Sequence, residues 1–308
     1  MEPVIFMKSL SDRIRQIKEA IDDAEYIIIG AGAGLSAAAG IDYGGERFRE
    51  NFSEYIKKYN MTDMYTAGFY PFDTLEEKWG YWSKHIYTNS VNMGSTSLYE
   101  KLYELVKDRK YFVITTNVDD QFVKSGFPSQ KVYATQGSYN YFQCSRACHD
   151  KLYDNTEIIK EMVDNIDEDL KIPSELVPVC PVCGEPLETN LRKDHFFVED
   201  VHWHRQNQAY NDFVNEAKSH KTVLLEFGIG YNTPAIIRFP FESLTQNNPE
   251  WKLVRFNRSH LEVAAYIHKT WKLIPLEALN DYFLPNNFNE RYIPVSEDIE
   301  SVVDELLR

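Results

Sequence analysis

The sequence predicts an α/β fold, a doubly wound parallel sheet with helices on both faces, carrying a smaller inserted domain. Three observations predict it. Four short apolar runs each lead into Gly or Asn, as strands buried on both faces of a parallel sheet do. The first of them breaks at Gly30-Ala31-Gly32-Ala33-Gly34 just ahead of a helical pattern, which is a strand, glycine turn and helix. Two long stretches, residues 46–91 and 141–218, interrupt the alternation of helix and strand and must lie outside the sheet.

The elements follow in order. Leu10, Ile14, Ile17 and Ile21 recur at helical spacing, and the run Tyr26-Ile27-Ile28-Ile29 is the first strand. Ser36 is placed to cap a helix through Ala37-Ala38-Ala39. Leu98, Leu102, Leu105 and Val106 mark a second amphipathic helix, followed by the strand Tyr111-Phe112-Val113-Ile114 and the turn Thr115-Thr116-Asn117. The strands Thr222 to Phe227, ending at Gly228, and Lys252 to Phe256, ending at Asn257, complete the four. Ile299, Val302, Val303, Leu306 and Leu307 give a final docked helix. Residues 8–45, 92–140 and 219–308 thus form a Rossmann-like domain. Residues 46–91, aromatic and helical, join residues 141–218, with four cysteines and a charged helix around 156–169, in the small domain. Phe69 to Trp82 reads as aromatic packing under a loop.

Composition narrows the function. With 33 Lys plus Arg against 47 Asp plus Glu in 308 residues, the net charge is −14, which argues against a nucleic-acid partner. No run of about 18 apolar residues occurs, so no membrane span is expected, and MEPVIFMKSL has no secretory pattern. A cytoplasmic protein is expected, and there thiols are not stored as disulfides. Cys144-x3-Cys148 and Cys180-x2-Cys183-Gly184 form two close pairs, and four thiolates fill a closed structural zinc site. Such a site has no open position, so the zinc is not the catalyst. His149 reads as a neighbour of the site, and His202 and His204 as the start of a helix.

The glycine loop taken alone supports two readings. Its backbone N–H groups can approach a pyrophosphate at a helix N-terminus, or it is a tight turn with no ligand. The third glycine is misplaced for the dehydrogenase G-x-G-x-x-G spacing, which disfavours hydride transfer.

Several motifs in order resolve the ambiguity. Gly32-Ala33-Gly34-Leu35-Ser36 with Gly40-Ile41 resembles the cofactor loop GAGxSxxxGI of the sirtuins, and Thr116-Asn117-Val118-Asp119 resembles their QNID strand end. Gln136-Gly137 stands where sirtuins carry His-Gly, and the cysteines lie where their zinc module lies. Leu191 to Glu199 resembles RPxxVxFGE, Gly228-x-Gly230 the later glycine-rich strand end, and Phe256-Asn257 the strand end whose Asn holds the adenine-side ribose. The resemblance covers residues 30–257 and implies a consumed NAD. Gly32, Ala33, Gly34, Ser36, Asn117, Asp119, Gln136, Gly228, Gly230 and Asn257 are then its binding positions. Asp119 holds the nicotinamide carboxamide, and Asn117 stands beside the reacting ribose.

The departures from that family point further. Sirtuins continue GIPDFR, whereas this chain reads Gly40-Ile41-Asp42-Tyr43-Gly44-Gly45-Glu46-Arg47-Phe48-Arg49, and Phe48-Arg49 is taken as the displaced pair, also toward NAD. Val198 replaces the glycine of FGE, in the segment that pairs with an acyl-lysine peptide. Gln136 replaces the histidine, and an amide has no pKa near neutrality with which to take a proton. Deacylation needs that base, whereas transfer of ADP-ribose to an ionised carboxylate does not. Arg192 is placed to steer an acidic acceptor or the cofactor phosphates. Together these features resemble the class M, macrodomain-linked sirtuins of microbes. That resemblance implies an ADP-ribosyltransferase acting on a lipoylated carrier related to glycine-cleavage H protein, with a macrodomain hydrolase and a lipoate-ligase-like enzyme as partners. The alternatives are a deacylase, an NAD glycohydrolase and a non-catalytic NAD or ADP-ribose sensor.

Overall fold

A computed structural model describes residues 8–267, 270–282 and 284–308. Its strands are β1 Tyr26–Ala31, β2 Tyr111–Thr115, β3 Val132–Ala134, β4 Gly137–Cys144, β5 Tyr153–Asp154, β6 Leu187–Leu191, β7 Thr222–Phe227, β8 Trp251–Phe256, β9 Val263–Ile267, β10 Thr270–Ile274 and β11 Tyr292–Val295. The large sheet has the order β11-β8-β7-β1-β2-β3 and is parallel throughout. The four strands expected from the sequence are its central four. The two edge strands were not expected: β3 has three residues, and β11 contains Pro294. Both are too short or too interrupted to show an apolar run, and an edge tolerates proline because one side of its backbone is unpaired.

Each face of the sheet is covered. Ile17 and Ile21 of the helix Leu10–Asp23, Leu98 and Leu102 of Ser97–Val106, and Val302 and Leu306 of Ile299–Leu307 share one core with Ile27, Ile29, Val113 and Leu225. The opposite face buries Ile28, Phe112, Ile114 and Leu224 under Val214 and Ala217 of the helix Val201–Ala217 and Phe241 of the helix Arg238–Asn247. This corrects the expected domain division, because Val201–Ala217 lies on the large sheet and not in the small domain. Its exposed outer face gives the sequence a polar look that hid the packed stripe. Asp200 caps it by accepting from Trp203 N at 2.8 Å, so His202 and His204 do mark a helix start. The small domain holds the helices Gly45–Tyr59, Met64–Ala67, Leu75–Ile86 and Thr156–Asp164 and the sheet β5-β4-β6. It has two cores, one around Phe48, Phe52, Tyr55 and Tyr81, the other around Trp79, Phe142, Ile159 and the buried thiols Cys144 and Cys180. In the aromatic segment Trp79 and Tyr81 are buried, while Phe69 is 65 % exposed. No helix among the described residues is long and apolar enough to cross a membrane.

Candidate active site

Parallel strands end on one edge of the sheet, so the loops after β1, β2, β3, β7 and β8 meet there. After β1 the chain turns at Gly32 into the short helix Ala33–Ala38. Ser36 is therefore inside the helix and not its cap, and its hydroxyl is free for another use. It donates to Asp119 Oδ2 at 2.6 Å and lies 2.8 Å from Tyr99 Oη. Asn117 Nδ2 donates to the Gly32 carbonyl and to Tyr99 Oη, both at 3.0 Å. Asp119 Oδ1 accepts from Gln121 N at 3.1 Å. Asn117, Asp119, Ser36 and Tyr99 are all buried, and one polar network binds the end of β2 to the glycine turn. Burial raises the Asp119 pKa, opposed chiefly by the Ser36 hydrogen bond. Tyr99, fully buried on an amphipathic helix, is a core residue by sequence. Only the fold brings its hydroxyl to Asn117.

The glycines have a steric reason that the loop alone did not reveal. A Cβ on Gly34 would stand 2.7 Å from Gly228 Cα, and one on Gly228, where φ is +62°, would stand 2.4 Å from Gly34 C. Two backbones touch there, and no side chain fits between them. The amides of Gly32 and Gly34 donate to the carbonyls of Phe227 and Gly228, both at 3.0 Å, so these two amides are engaged within the protein and do not face a pyrophosphate. Ala33 begins the helix between them, and Gly230 is exposed with open space where a Cβ would stand. Asn257 Nδ2 donates to Ile229 O at 2.8 Å, tying the loop after β8 to that after β7, while its Oδ1 accepts from Ser259 N and His260 N. Behind these loops lies a buried ion cluster: Arg255 Nε and Nη2 bond Glu226 at 2.7 and 2.9 Å, Arg255 Nη1 lies 2.7 Å from Glu242, and Arg238 donates to the carbonyls of His260 and Glu262.

Other expected positions divide. Gln136, half-buried, sits two residues beyond β3, and its carbonyl accepts from Arg192 N at 3.0 Å. The Arg192 guanidinium is paired with Glu199 Oε1 at 2.5 Å and lies 4.3 Å from the Phe197 ring centre and 5.3 Å from that of Trp203. It is thus held, still exposed, beside the end of β3, where its Nε donates to the Thr135 carbonyl at 3.3 Å. The candidates Arg47, Phe48 and Arg49 for the displaced pair point three different ways. Phe48 is 1 % exposed within the small domain's aromatic core, and Arg49 faces solvent. Arg47 is the inward one, donating to Asn89 Oδ1 at 2.7 Å and to the carbonyls of Asp42 and Thr88. The loop 42–44 sets where the helix Gly45–Tyr59 begins, and its 3.6-residue period turns Arg47 inward, a rotation the motif could not supply. Val198 is also buried, its N–H donating to Gln143 Oε1 at 3.0 Å and its carbonyl accepting from Asn190 Nδ2 at 3.1 Å.

Four further polar groups were missed. Asp120, at φ +57°, is pushed up to about 6 by burial and bonds Ser138 Oγ and Asn140 Nδ2, each at 2.6 Å. Tyr43 and Tyr139 share a hydrogen bond at 2.6 Å, and His85 Nε2 lies 2.9 Å from Tyr139 Oη. Burial raises both phenols, and for Tyr139 the neighbouring Tyr43 adds to it.

The four cysteine sulfurs converge within 4.8 Å of one another. Cys144 Sγ to Cys183 Sγ is 3.6 Å and Cys148 Sγ to Cys180 Sγ is 3.7 Å. Tetrahedral zinc with its usual bonds to sulfur sets an edge of about 3.8 Å, so the thiols fit one structural zinc ion. Ala147 and Gly184, both with positive φ, make the turns that aim the two pairs. His149 Nε2 bonds Tyr153 Oη at 2.8 Å while Nδ1 lies 3.0 Å from Cys148 Sγ, the place of a neighbour to the four thiolates. Freshly purified protein is expected to hold one zinc per chain by elemental analysis, and stripping it should unfold the small domain first. A content well below one would refute this.

Comparison with known proteins agrees with this architecture. The profile described as Sir2 family matches residues 32–224. A Staphylococcus aureus protein named protein ADP-ribosyltransferase is 36 % identical over 305 residues, covering 99 % of this chain and 90 % of that protein. A Fusarium oxysporum f. sp. cubense protein named "Probable bifunctional ADP-ribose hydrolase/ADP-ribosyltransferase" is 32 % identical over 250 residues, covering 77 % of this chain and 41 % of its own length. Among solved structures, a Sir2 homolog in complex with NAD superposes with TM-score 0.56 at 16 % identity, covering 96 % of this chain and 92 % of that one. Sir2Tm bound to a propionylated peptide gives 0.55 at 15 % identity, covering 96 % and 97 %. At such identity the likeness concerns the fold.

Proposed function

The chain belongs to the Sir2 family, and on that premise we propose that it is an NAD-consuming protein ADP-ribosyltransferase of the class M branch. The single observation that carries the reading is Gln136, two residues beyond β3, the strand paired with β2, whose end carries the buried Asn117–Asp119–Ser36 network. In the proposed chemistry Asp119 accepts from the carboxamide of NAD, Asn117 stands beside the reacting ribose, and Asn257 and Gly230 border the adenine-side half. Bound NAD supplies a glycosidic bond whose leaving group is neutral nicotinamide. The protein's part is to hold both riboses and keep water from the anomeric carbon. Gln136 orients without exchanging a proton, which suffices when the acceptor is a carboxylate already ionised at pH 7. The clamp on both sides of Val198 supports the same choice, because a peptide strand cannot use the N–H already given to Gln143 and would have to share the carbonyl with Asn190.

The acceptor we propose is a lipoylated carrier resembling glycine-cleavage H protein, in the cytoplasm, with a macrodomain hydrolase and a lipoate-ligase-like enzyme as partners. The hydrolase activity in the name of the fungal relative supports that link. A chain of net charge −14 gains no long-range attraction to an acidic carrier, so recognition rests on local contacts and on burial of the apolar lipoyl arm. Incubation with labelled NAD and equal concentrations of lipoylated and unmodified carrier tests this. The lipoylated form is expected to be labelled at least about tenfold faster, which needs only about 1.4 kcal/mol of differential binding. Equal labelling refutes the lipoyl-directed reading. Nicotinamide release without a labelled acceptor identifies a glycohydrolase, and binding without release a sensor.

A further inference from the structure

A buried relay of polar groups stands behind the end of β2. Tyr99, on the helix Ser97–Val106, is completely buried, and Ser36, Asp119 and Asn117 are 5, 4 and 9 % exposed. Asn117 Nδ2 lies 3.0 Å from the Gly32 carbonyl and 3.0 Å from Tyr99 Oη. Tyr99 Oη lies 2.8 Å from Ser36 Oγ, which lies 2.6 Å from Asp119 Oδ2. Counting protons gives each bond its direction. The Gly32 carbonyl can only accept, so the Asn117 atom that faces it is the amide nitrogen and not the oxygen. That nitrogen gives its second proton to Tyr99, whose oxygen accepts. The Tyr99 proton is left for Ser36, and the Ser36 proton for the Asp119 carboxylate. Asp119 Oδ1 accepts from Gln121 N, so both of its oxygens are acceptors. Reversing any one of these bonds would set two lone pairs or two protons face to face in a buried place.

The consequence falls on Asn117. Both of its amide protons are used inside the protein, and no group among the described residues bonds its Oδ1. Oxygen is therefore what Asn117 has left to offer a ligand. A carbonyl oxygen accepts from a ribose hydroxyl, and it turns the negative end of its dipole toward a sugar carbon that becomes positive as its base departs. An amide turned over would present protons and oppose that charge. Burial, with the Asp119 charge adding to it, raises the Tyr99 phenol well above its ordinary value, so Tyr99 keeps the proton that it gives to Ser36.

We infer that Tyr99 is a positioning residue, which acts from behind the site, without touching substrate, to hold the Asn117 side chain with its oxygen toward the reacting ribose. This rests on the reading of the site as one that cleaves NAD. Tyr99→Phe removes one oxygen and keeps the ring that packs edge-on against Phe122, 4.9 Å between centroids. Nicotinamide release at saturating NAD should fall about tenfold, which corresponds to about 1.4 kcal/mol, the order of one buried hydrogen bond. Thermal unfolding controls for folding.

A second readout does not involve NAD. The Asn117 side-chain amide protons are identified in a proton–nitrogen correlation spectrum by their absence in Asn117→Ala, and their exchange with solvent should quicken about tenfold in Tyr99→Phe. No bond joins the Ser36 and Asn117 side chains, yet Ser36→Ala strands the Tyr99 proton, which then competes with the Asn117 proton for the space between them. The Asn117 amide should therefore respond to Ser36→Ala as well, and respond no further when Ser36→Ala is added to Tyr99→Phe. A merely structural Tyr99 would transmit nothing from Ser36 to Asn117. Unchanged release in Tyr99→Phe, or an Asn117 amide that ignores Tyr99→Phe or Ser36→Ala, overturns the inference while NAD cleavage by wild type stands. If Tyr99→Phe does not fold, the response of the amide to Ser36→Ala decides alone. A wild type that releases no nicotinamide overturns the NAD reading, and this inference with it.

Discussion

Asn117→Ala is expected to cut nicotinamide release from NAD by at least on the order of a hundredfold, the loss seen when one preorganised donor is removed from a reacting centre. Asn117 Nδ2 is bonded to the Gly32 carbonyl and to Tyr99 Oη, so its loss both removes a polar group from the site and unties the end of β2 from the glycine turn. Gln136→Ala should cost far less, leaving activity within about tenfold of wild type, because it is the Gln136 main-chain carbonyl that holds Arg192 N. The measurement is nicotinamide release under saturating NAD for both variants, with denaturation midpoints as control. Equal losses would assign Gln136 a positioning role as large as that of Asn117. Gln136→His, which restores a base, should not by itself produce efficient deacetylation, because Val198 remains clamped on both sides of its backbone.

Arg255→Met is expected to destabilise the protein by about 3–5 kcal/mol, the cost of leaving a buried carboxylate without its partner. Arg255 and Glu226 are each completely buried, and Arg255 also bonds Glu242 and donates to the Glu262 carbonyl at 2.8 Å. The burial that raises the cost of each charge raises the cost of breaking the pair. Pairing with Glu226 keeps Arg255 charged, its pKa raised well above the ordinary guanidinium value despite the opposing effect of burial. Adding Glu226→Met should restore a large part of the loss, since the buried charges that remain, Arg238 and Glu242, are opposite in sign and 3.8 Å apart. Urea midpoints for wild type and the single and double variants decide the matter. A single-variant loss below about 1 kcal/mol would show that Arg238, 3.8 Å from Glu226, takes over the pairing.

These two sites differ in how far the sequence disclosed them. Asn117 and Asp119 follow an apolar strand at a motif's spacing, and strand ends on a parallel sheet are where such residues act, so their place was readable. The same holds for the cysteine pairs, whose short spacing already fixes two corners of a tetrahedron each. Glu226 and Arg255 lie within strands that read as mainly apolar, with one charge in β7 and two in β8. That the two charges meet follows from the pairing of β7 with β8, in which Glu226 stands opposite Arg255.

By itself, then, the sequence determined the central four strands, the flanking helices, the metal-binding thiols and the polar strand ends, because each is encoded within a short window by periodicity, turn chemistry or ligand spacing. The tertiary structure alone decided the rest. It placed Val201–Ala217 on the large sheet, turned Arg47 inward instead of Arg49, set Gly34 against Gly228, and brought Tyr99 to Asn117 and His85 to Tyr139. Each of these depends on the angle at which distant segments pack, and a hydrogen bond or steric contact across that packing is settled within a few tenths of an ångström, a precision no local pattern carries.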